Sequence, residues 1–338
     1  MSVRRTLQFA LVALAIAAFA GCGAAEDATT PSAPKAESGA FPVTIPHKFG
    51  KTTINAEPKR VVVVGAREQD ALLALGVVPV GTTEWYGEHP GAIFPWAEHA
   101  LGDAKRPTVL SSTDGVQYER VAALAPDLII GIYSGLTQKD YDTLSKLAPV
   151  VAQPPGQVDW GSSWQDEITI AGKAVGKPDE AAELRSRAEA KLAQARAAHP
   201  EFKGRTAALA TPYQGIYVYG PGDGRSKFLT DLGFKFPPAL KDIGGKSFGG
   251  QLSDEKVDLL DLDTLVWFAN PGPEADVKRN PVYSRLDVRK EGRDVFLSEE
   301  GTLYEATSFI SVLSIPLLVD ELVPRLAAAA DGNPQTKT

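Results

Sequence analysis

The chain holds one cysteine, one methionine and four histidines in 338 residues. A single cysteine excludes an intrachain disulfide and any cysteine-based metal cluster. Four scattered histidines leave little from which to build a histidine-rich zinc or manganese site. Positive charge is also short: Lys and Arg total 35 against 42 Asp and Glu, a net charge of −7. That balance speaks against a nucleic-acid surface, which needs a basic stripe. No G-x-S-x-G nucleophile motif occurs, and Gly220-Pro221-Gly222-Asp223-Gly224 is followed by Arg225-Ser226, not by the Lys-Ser/Thr of a phosphate loop. A hydrophobic share of 43% beside 23% charged residues is that of a globular chain rather than a disordered one. The length suggests two domains at roughly 100–200 residues each.

The amino terminus reads as an export signal. Arg4-Arg5 precede an uncharged apolar run, Leu7 to Ala20, that is shorter than the ~20 residues of a membrane-spanning helix. Val3 stands where a twin-arginine signal has Ser or Thr, which favours the general export pathway. Phe19-Ala20-Gly21-Cys22 resembles a bacterial lipobox, with Phe in place of the usual Leu or Val. It implies cleavage after residue 21 and lipid on Cys22. Residues 23–42 are small, polar and Pro-containing, the composition of a flexible tether. The expected location is the extracytoplasmic face of the cell membrane, lipid-anchored.

Beyond the tether, strand and helix signals alternate, which points to βα units and mainly parallel sheets. The order occurs twice. Arg60 to Val64 matches Arg205 to Leu209, and Ala71 to Gly76 matches Phe228 to Gly233. Glu119 to Ile130 matches Glu255 to Val266, with Glu, a basic residue, Val, Leu and Asp at identical offsets. Two similar α/β lobes follow, 43–177 and 204–330. Between them, Pro178 to Ala198 carries Leu184, Ala188, Leu192 and Ala195 at helical spacing, starts at a proline and stops at His199-Pro200. The expectation is one long rigid connecting helix over 178–199, with a disordered tail over 331–338.

A lipobox, two similar lobes and one connecting helix resemble the helical-backbone class of substrate-binding lipoproteins of ABC transporters, which handles ferric siderophores, haem and vitamin B12. Pro58 to Val62, Asp70 to Gly81 and Glu119 to Ile130 resemble its local motifs, and the resemblance covers about residues 43 to 327. Glu68-Gln69-Asp70, Pro95-Trp96 and Ser311 to Pro316 look like its actinobacterial iron-uptake branch. The resemblance implies a monomeric receptor that binds an iron(III) siderophore between its lobes and delivers it to a permease dimer. No cofactor of the protein's own is expected, because the iron travels within the chelate. Haem or a corrinoid is the alternative cargo, and an anchored extracellular enzyme the remote one.

In open α/β sheets ligands bind beyond the carboxyl ends of the strands. Arg67, Trp85, Tyr86, Tyr133, Tyr213, Arg225 and Tyr304 stand at such ends and are the expected ligand-binding residues. Aromatic faces supply large contact area with few rotors, and Arg a planar fork for chelate oxygens. Each has a plainer reading. Arg225 would equally pair with Asp223, Trp96 would pack under a loop or line the cleft, and Trp160 and Trp164 would pack near the connector, with Trp160 able to reach the cleft. Trp267 reads as core. Glu119 and Glu255 each start a helical turn, where the helix dipole alone favours an acid. In the resembling family, one surface Glu per lobe docks on Arg residues of the permease, and that role falls on these two positions.

Overall fold

Two five-stranded sheets, one preceding and one following a long helix along the chain, stand in a computed structural model that describes residues 35–85, 87–243, 248–333 and 335–336. Cys22, the export segment and most of the expected tether lie outside those residues.

A hairpin of β1 (Val43–His47) and β2 (Gly50–Ile54) precedes the first lobe. The lobe's sheet contains β3 (Val61–Val63), β4 (Gly81–Glu84), β5 (Thr108–Ser111), β6 (Leu128–Gly131) and β7 (Val150–Ala152). Its order is β5-β4-β3-β6-β7, and all pairs are parallel. The central strands β3 and β6 are apolar and wholly buried. A central parallel strand covered on both faces has no solvent side to carry polar residues. The second sheet contains β8 (Ala207–Thr211), β9 (Ile216–Tyr219), β10 (Gly249–Leu252), β11 (Thr264–Phe268) and β12 (Asp294–Leu297), in the order β10-β9-β8-β11-β12. Here β8, β11 and β12 run parallel, and β9 is antiparallel to both β8 and β10. Numbered within each lobe, both orders are third-second-first-fourth-fifth, so the duplication read from sequence is a duplication of topology.

The repeated aspartates have a common task. Asp127, just before β6, accepts hydrogen bonds from the backbone N–H groups of Lys59 and Arg60, both at 2.8 Å. Asp263, just before β11, accepts from the N–H (2.7 Å) and hydroxyl (2.8 Å) of Thr206. Each carboxylate ties the start of its lobe's first strand to the fourth. The match between Gly76 and Gly233 also holds locally. After Gly76, Val80 N–H donates to Val61 O (2.8 Å); after Gly233, Lys235 forms a parallel bridge to Thr206. The second lobe then differs by its antiparallel β9, which pairs with the far end of β8.

The connecting helix is Pro178–Ala198, 21 residues, hence about 31 Å long. Proline suits its first turn because an N–H there has no helical partner. Ala181, Ala188, Leu192 and Ala195 form its buried stripe. Its other exposed N–H groups find an unexpected acceptor: the Glu37 carboxylate receives Asp179 N (3.0 Å) and Glu180 N (3.0 Å). Phe41 packs against the core close to Gly176. The stretch ending at residue 42 is therefore seated on the body from Glu37 onward rather than free, because an acid at a helix N-terminus and an apolar ring both gain by docking. At the other end, Asp331 accepts from Asn333 N and from the Thr336 hydroxyl (both 2.7 Å), so the expected tail begins as a folded turn.

The lobes also touch directly. His89 Nε2 lies 2.9 Å from Glu305 Oε1, Phe94 stacks on Phe309 at 5.2 Å, and Asp70 accepts from the Ser311 hydroxyl.

Candidate functional site

A cleft of about 510 Å³ lies where the carboxyl ends of both sheets face each other. The first lobe contributes Trp85 after β4, Tyr133 after β6, and Trp160. The second contributes Tyr213 in the β8–β9 connection, Tyr217 and Tyr219 from β9, Phe248, Glu299 after β12 and Tyr304. Edge-to-face contacts brace the walls: Trp85 with Trp160 at 4.7 Å, Tyr133 with Trp160 at 5.7 Å, Tyr217 with Tyr219 at 5.4 Å, and Tyr304 with Phe268 at 4.7 Å. Such pairs prefer tilted geometry because ring edges are positive and faces negative. Trp160 is held at φ 61°, a left-handed backbone rare for a bulky residue. Strain of that kind persists only where the surroundings impose it, and it gathers at ligand sites.

Arg225 is the cation on the wall. Its Nε and Nη2 donate to the two oxygens of Asp223 at 2.8 and 3.0 Å, and its guanidinium lies 4.0 Å from the centre of the Tyr219 ring. Arg225 thus pairs with Asp223, the plainer of its two sequence readings, and also lines the cleft. Two of its five N–H donors are committed to that pair. Burial works against its charge, but the Asp223 carboxylate, together with Tyr219 and Tyr133 beside it, drives the guanidinium pKa further up. Asp223 also caps the helix Gly224–Asp231 by accepting from Arg225 N at 2.8 Å. Two buried atoms on the wall, Trp85 Nε1 and Ser308 Oγ, have no hydrogen-bond partner among the described residues. Buried polar groups are nearly always paired, so these two are poised for something that enters the cleft.

Arg67 does not line the cleft. It is 2% exposed, lies 3.7 Å beneath the Tyr133 ring, and gives Nε (2.7 Å) and Nη2 to the Glu167 carboxylate and Nη2 to Ser162 O (2.8 Å). Its role is to hold Tyr133 from behind. The strand-end position was read correctly; the turn of the side chain inward was not, because Glu167 lies 100 residues away in sequence. Trp85, Tyr133, Tyr213, Arg225 and Tyr304 are brought together as expected, and Tyr86 lies outside the described residues. Trp160 reaches the cleft. Trp96 packs, its Nε1 on Asp70 at 2.7 Å, and Trp267 is core, its Nε1 on the Tyr283 hydroxyl at 2.8 Å. Tyr217 and Tyr219 escaped the sequence reading. Their signal was present: Ile216-Tyr217-Val218-Tyr219 alternates, which puts both tyrosines on one face of a strand and the aliphatics in the core. Glu119 and Glu255 are exposed at matching places, in the helix Tyr118–Ala123 and the helical turn Asp254–Leu260.

Behind the Tyr133 wall lies a buried acidic cluster. Glu68 accepts from Tyr133 N (2.7 Å) and Arg67 N (3.1 Å). It fits only because residue 65 is glycine; a Cβ there would meet Glu68 Oε1 at 2.0 Å. Asp70 Oδ2 accepts from Trp96 and Ser311 and so joins three separate sequence segments across the lobes. Arg67 is the cation that faces Glu68, Asp70 and Glu167 together. Burial raises all three carboxyl pKa values; that of Asp70 is pushed up to about 6, with its two hydrogen bonds and Arg67 resisting the rise. A raised carboxyl pKa means the fold prefers the protonated form. The contribution is full below the ordinary value of 3.8 and is lost as pH rises through about 6. That displacement corresponds to about 3 kcal/mol. Asp70→Asn should therefore lose less unfolding free energy than the parent between about pH 4 and 7, by up to that amount. Urea unfolding across this range reads it, and superimposable pH profiles would refute the assignment.

Comparison with known proteins fits this architecture. Residues 61–300 match the family model described as periplasmic binding protein. A probable siderophore-binding lipoprotein of Bacillus subtilis, YfiY, is 28% identical over 233 residues, 67% of this chain and 68% of its own. The crystal structure of a periplasmic solute binding protein from Mycobacterium smegmatis is 35% identical, with a TM-score of 0.75 over 85% of this chain and 98% of that one. Streptococcus pneumoniae PiaA in complex with ferrichrome is 28% identical, with a TM-score of 0.77 over 86% of this chain and 99% of its own. With the matched model covering both sheets and well over half of the chain, the chain belongs to the periplasmic binding protein family.

Proposed function

We propose that this protein is the extracytoplasmic receptor of an ABC importer, anchored by lipid on Cys22, which holds an iron(III) siderophore in the aromatic cleft and presents it to a permease. The observation that carries the reading is the cleft itself: about 510 Å³, walled by tryptophan, tyrosine and phenylalanine from both lobes, with Arg225 at its edge. That volume is in the range of small-molecule sites, roughly 300–1,000 Å³. A ferric siderophore is bulky and often anionic, and its iron is saturated by its own oxygens. It asks for flat apolar walls, a cation and a few hydrogen-bond donors. The cleft offers all three, with Trp85 Nε1 and the Ser308 hydroxyl as the donors. Binding and release involve no covalent step. PiaA, of similar fold, is known with ferrichrome bound, which supports the same class of cargo here.

Tryptophan fluorescence tests this directly, since Trp85 and Trp160 stand in the wall. Hydroxamate, catecholate and carboxylate ferric siderophores, haem and cobalamin are titrated into the protein. Saturable submicromolar quenching by one siderophore class is expected. A haem response with a shifted Soret band would transfer the cargo to tetrapyrroles, and silence from every compound would overturn the reading.

Exposed Glu119 and Glu255 are the proposed contacts with the permease, one acid on each lobe. Glu119→Lys together with Glu255→Lys should abolish iron uptake by cells and leave chelate affinity within about twofold, as expected for surface charges outside a binding site. Undiminished uptake would remove both residues from the docking surface.

A further inference from the structure

A second pocket adjoins the cleft on the first lobe, about 170 Å³ in volume, and Trp85 and Trp160 belong to the walls of both. Its floor is apolar: Val64, Leu110, Val116, Val121 and Leu136. Most of the polar side chains around it are already engaged with the protein. Ser112 Oγ donates to Glu84 O (2.8 Å), Ser134 Oγ to Gly131 O (2.7 Å) and Thr83 Oγ1 to Val63 O (3.1 Å). Asp140 accepts from the Tyr118 hydroxyl and from Thr137 N and Oγ1, and Gln117 Oε1 accepts from Ser111 N at 3.0 Å. What remains to face a guest is mostly hydrocarbon, with the Trp85 Nε1 donor at the boundary with the cleft. In size the pocket is close to an engineered apolar cavity of roughly 150 Å³ that holds benzene. Its neighbour Gly135 keeps the Trp160 indole close, since a Cβ there would stand 3.0 Å from Trp160 Nε1. The tryptophan pair, edge to face at 4.7 Å, thus separates a polar-rimmed aromatic cleft from an apolar chamber beside it.

Resting on the siderophore reading above, we infer that the side pocket is a subsite for a short apolar arm, and that the cargo is an amphiphilic ferric chelate whose iron-bearing head occupies the aromatic cleft. The head meets Arg225 and the tyrosines; the arm passes the Trp85–Trp160 pair into the chamber lined by Leu110 and Val116. A purely polar chelate would leave this hydrocarbon surface uncovered.

The test is a homologous series. Ferrioxamine B, a ferric triscatecholate and a ferric citrate-type chelate are each titrated without an arm and with amide-linked alkyl arms of two, four, six and eight carbons. On at least one head, affinity should rise about fourfold per methylene until the chamber is full. Val116→Phe and, independently, Ser112→Leu narrow the chamber from half-buried positions outside the cleft wall. Each should bind the unarmed chelate as the parent does and lose the increments, with thermal unfolding reporting that the fold is kept. An unarmed chelate that binds but gains nothing from an arm would overturn the subsite and leave the proposed function standing. Increments that persist in both variants would also overturn it. Failure of every head to bind would overturn the siderophore reading and the subsite with it.

Discussion

Arg67→Met is expected to lower the unfolding free energy by about 3–5 kcal/mol, the cost typical of removing one partner from a buried ion pair. Arg67 and Glu167 have side chains only 2% and 3% exposed. The substitution leaves Glu68, Asp70 and Glu167 enclosed without the cation that faces all three. Each would then hold its proton more tightly, so the loss should grow as pH rises. Glu167→Gln is the informative partner. It keeps an oxygen for the Arg67 N–H groups and leaves Arg67 facing Glu68 and Asp70, so its cost should be nearer the roughly 1 kcal/mol of a weakened hydrogen bond. Guanidinium unfolding of both variants at neutral pH measures the asymmetry. Equal losses would mean that Arg67 serves Glu167 alone.

Arg225→Ala should weaken ferric-siderophore binding by about tenfold or more, since a hydrogen bond to a charged group contributes roughly 1.5–3 kcal/mol. The change deletes the cation on the cleft wall and strands Asp223, which is 1% exposed. Arg225→Lys should not restore affinity. A lysine ammonium cannot reach both Asp223 oxygens in the forked geometry or lie flat on the Tyr219 ring as the guanidinium does at 4.0 Å. Fluorescence titration gives the affinities, and a thermal melt separates a lost contact from a lost fold. Near-parental affinity in Arg225→Ala would exclude the guanidinium from recognition.

Much of this site was legible before any coordinates. Strand-end positions are set by local β propensity, and the rule that ligands sit beyond carboxyl ends then names Trp85, Tyr133, Tyr213 and Tyr304 without knowledge of packing. Asp127 and Asp263 stood out as a repeated letter, and their common bond to the first strand of each lobe explains the repetition. Less legible were residues whose meaning depends on a distant partner. Arg67 looks in sequence like any arginine at a strand end; only Glu167 and the underside of Tyr133 decide that it turns inward. Tyr217 and Tyr219 lie within a strand, and the antiparallel turn of β9 is what brings their face to the cleft. The docking of Glu37 on the connecting helix belongs to the same group, since a polar, Pro-containing segment carries no local mark of the helix terminus it will meet.

By itself the sequence determined the duplicated α/β lobes, the connecting helix and the aromatic character of the strand ends, because each of these follows from local periodicity, composition or a short motif. Tertiary structure alone decided which arginine faces the cleft and which is sealed behind it. It alone joined Asp70, Trp96 and Ser311, and it alone set an apolar chamber beside the tryptophan pair. Those outcomes rest on contacts between residues far apart in the chain, whose burial and pairing energies arise only when the two sheets and the helix are packed together.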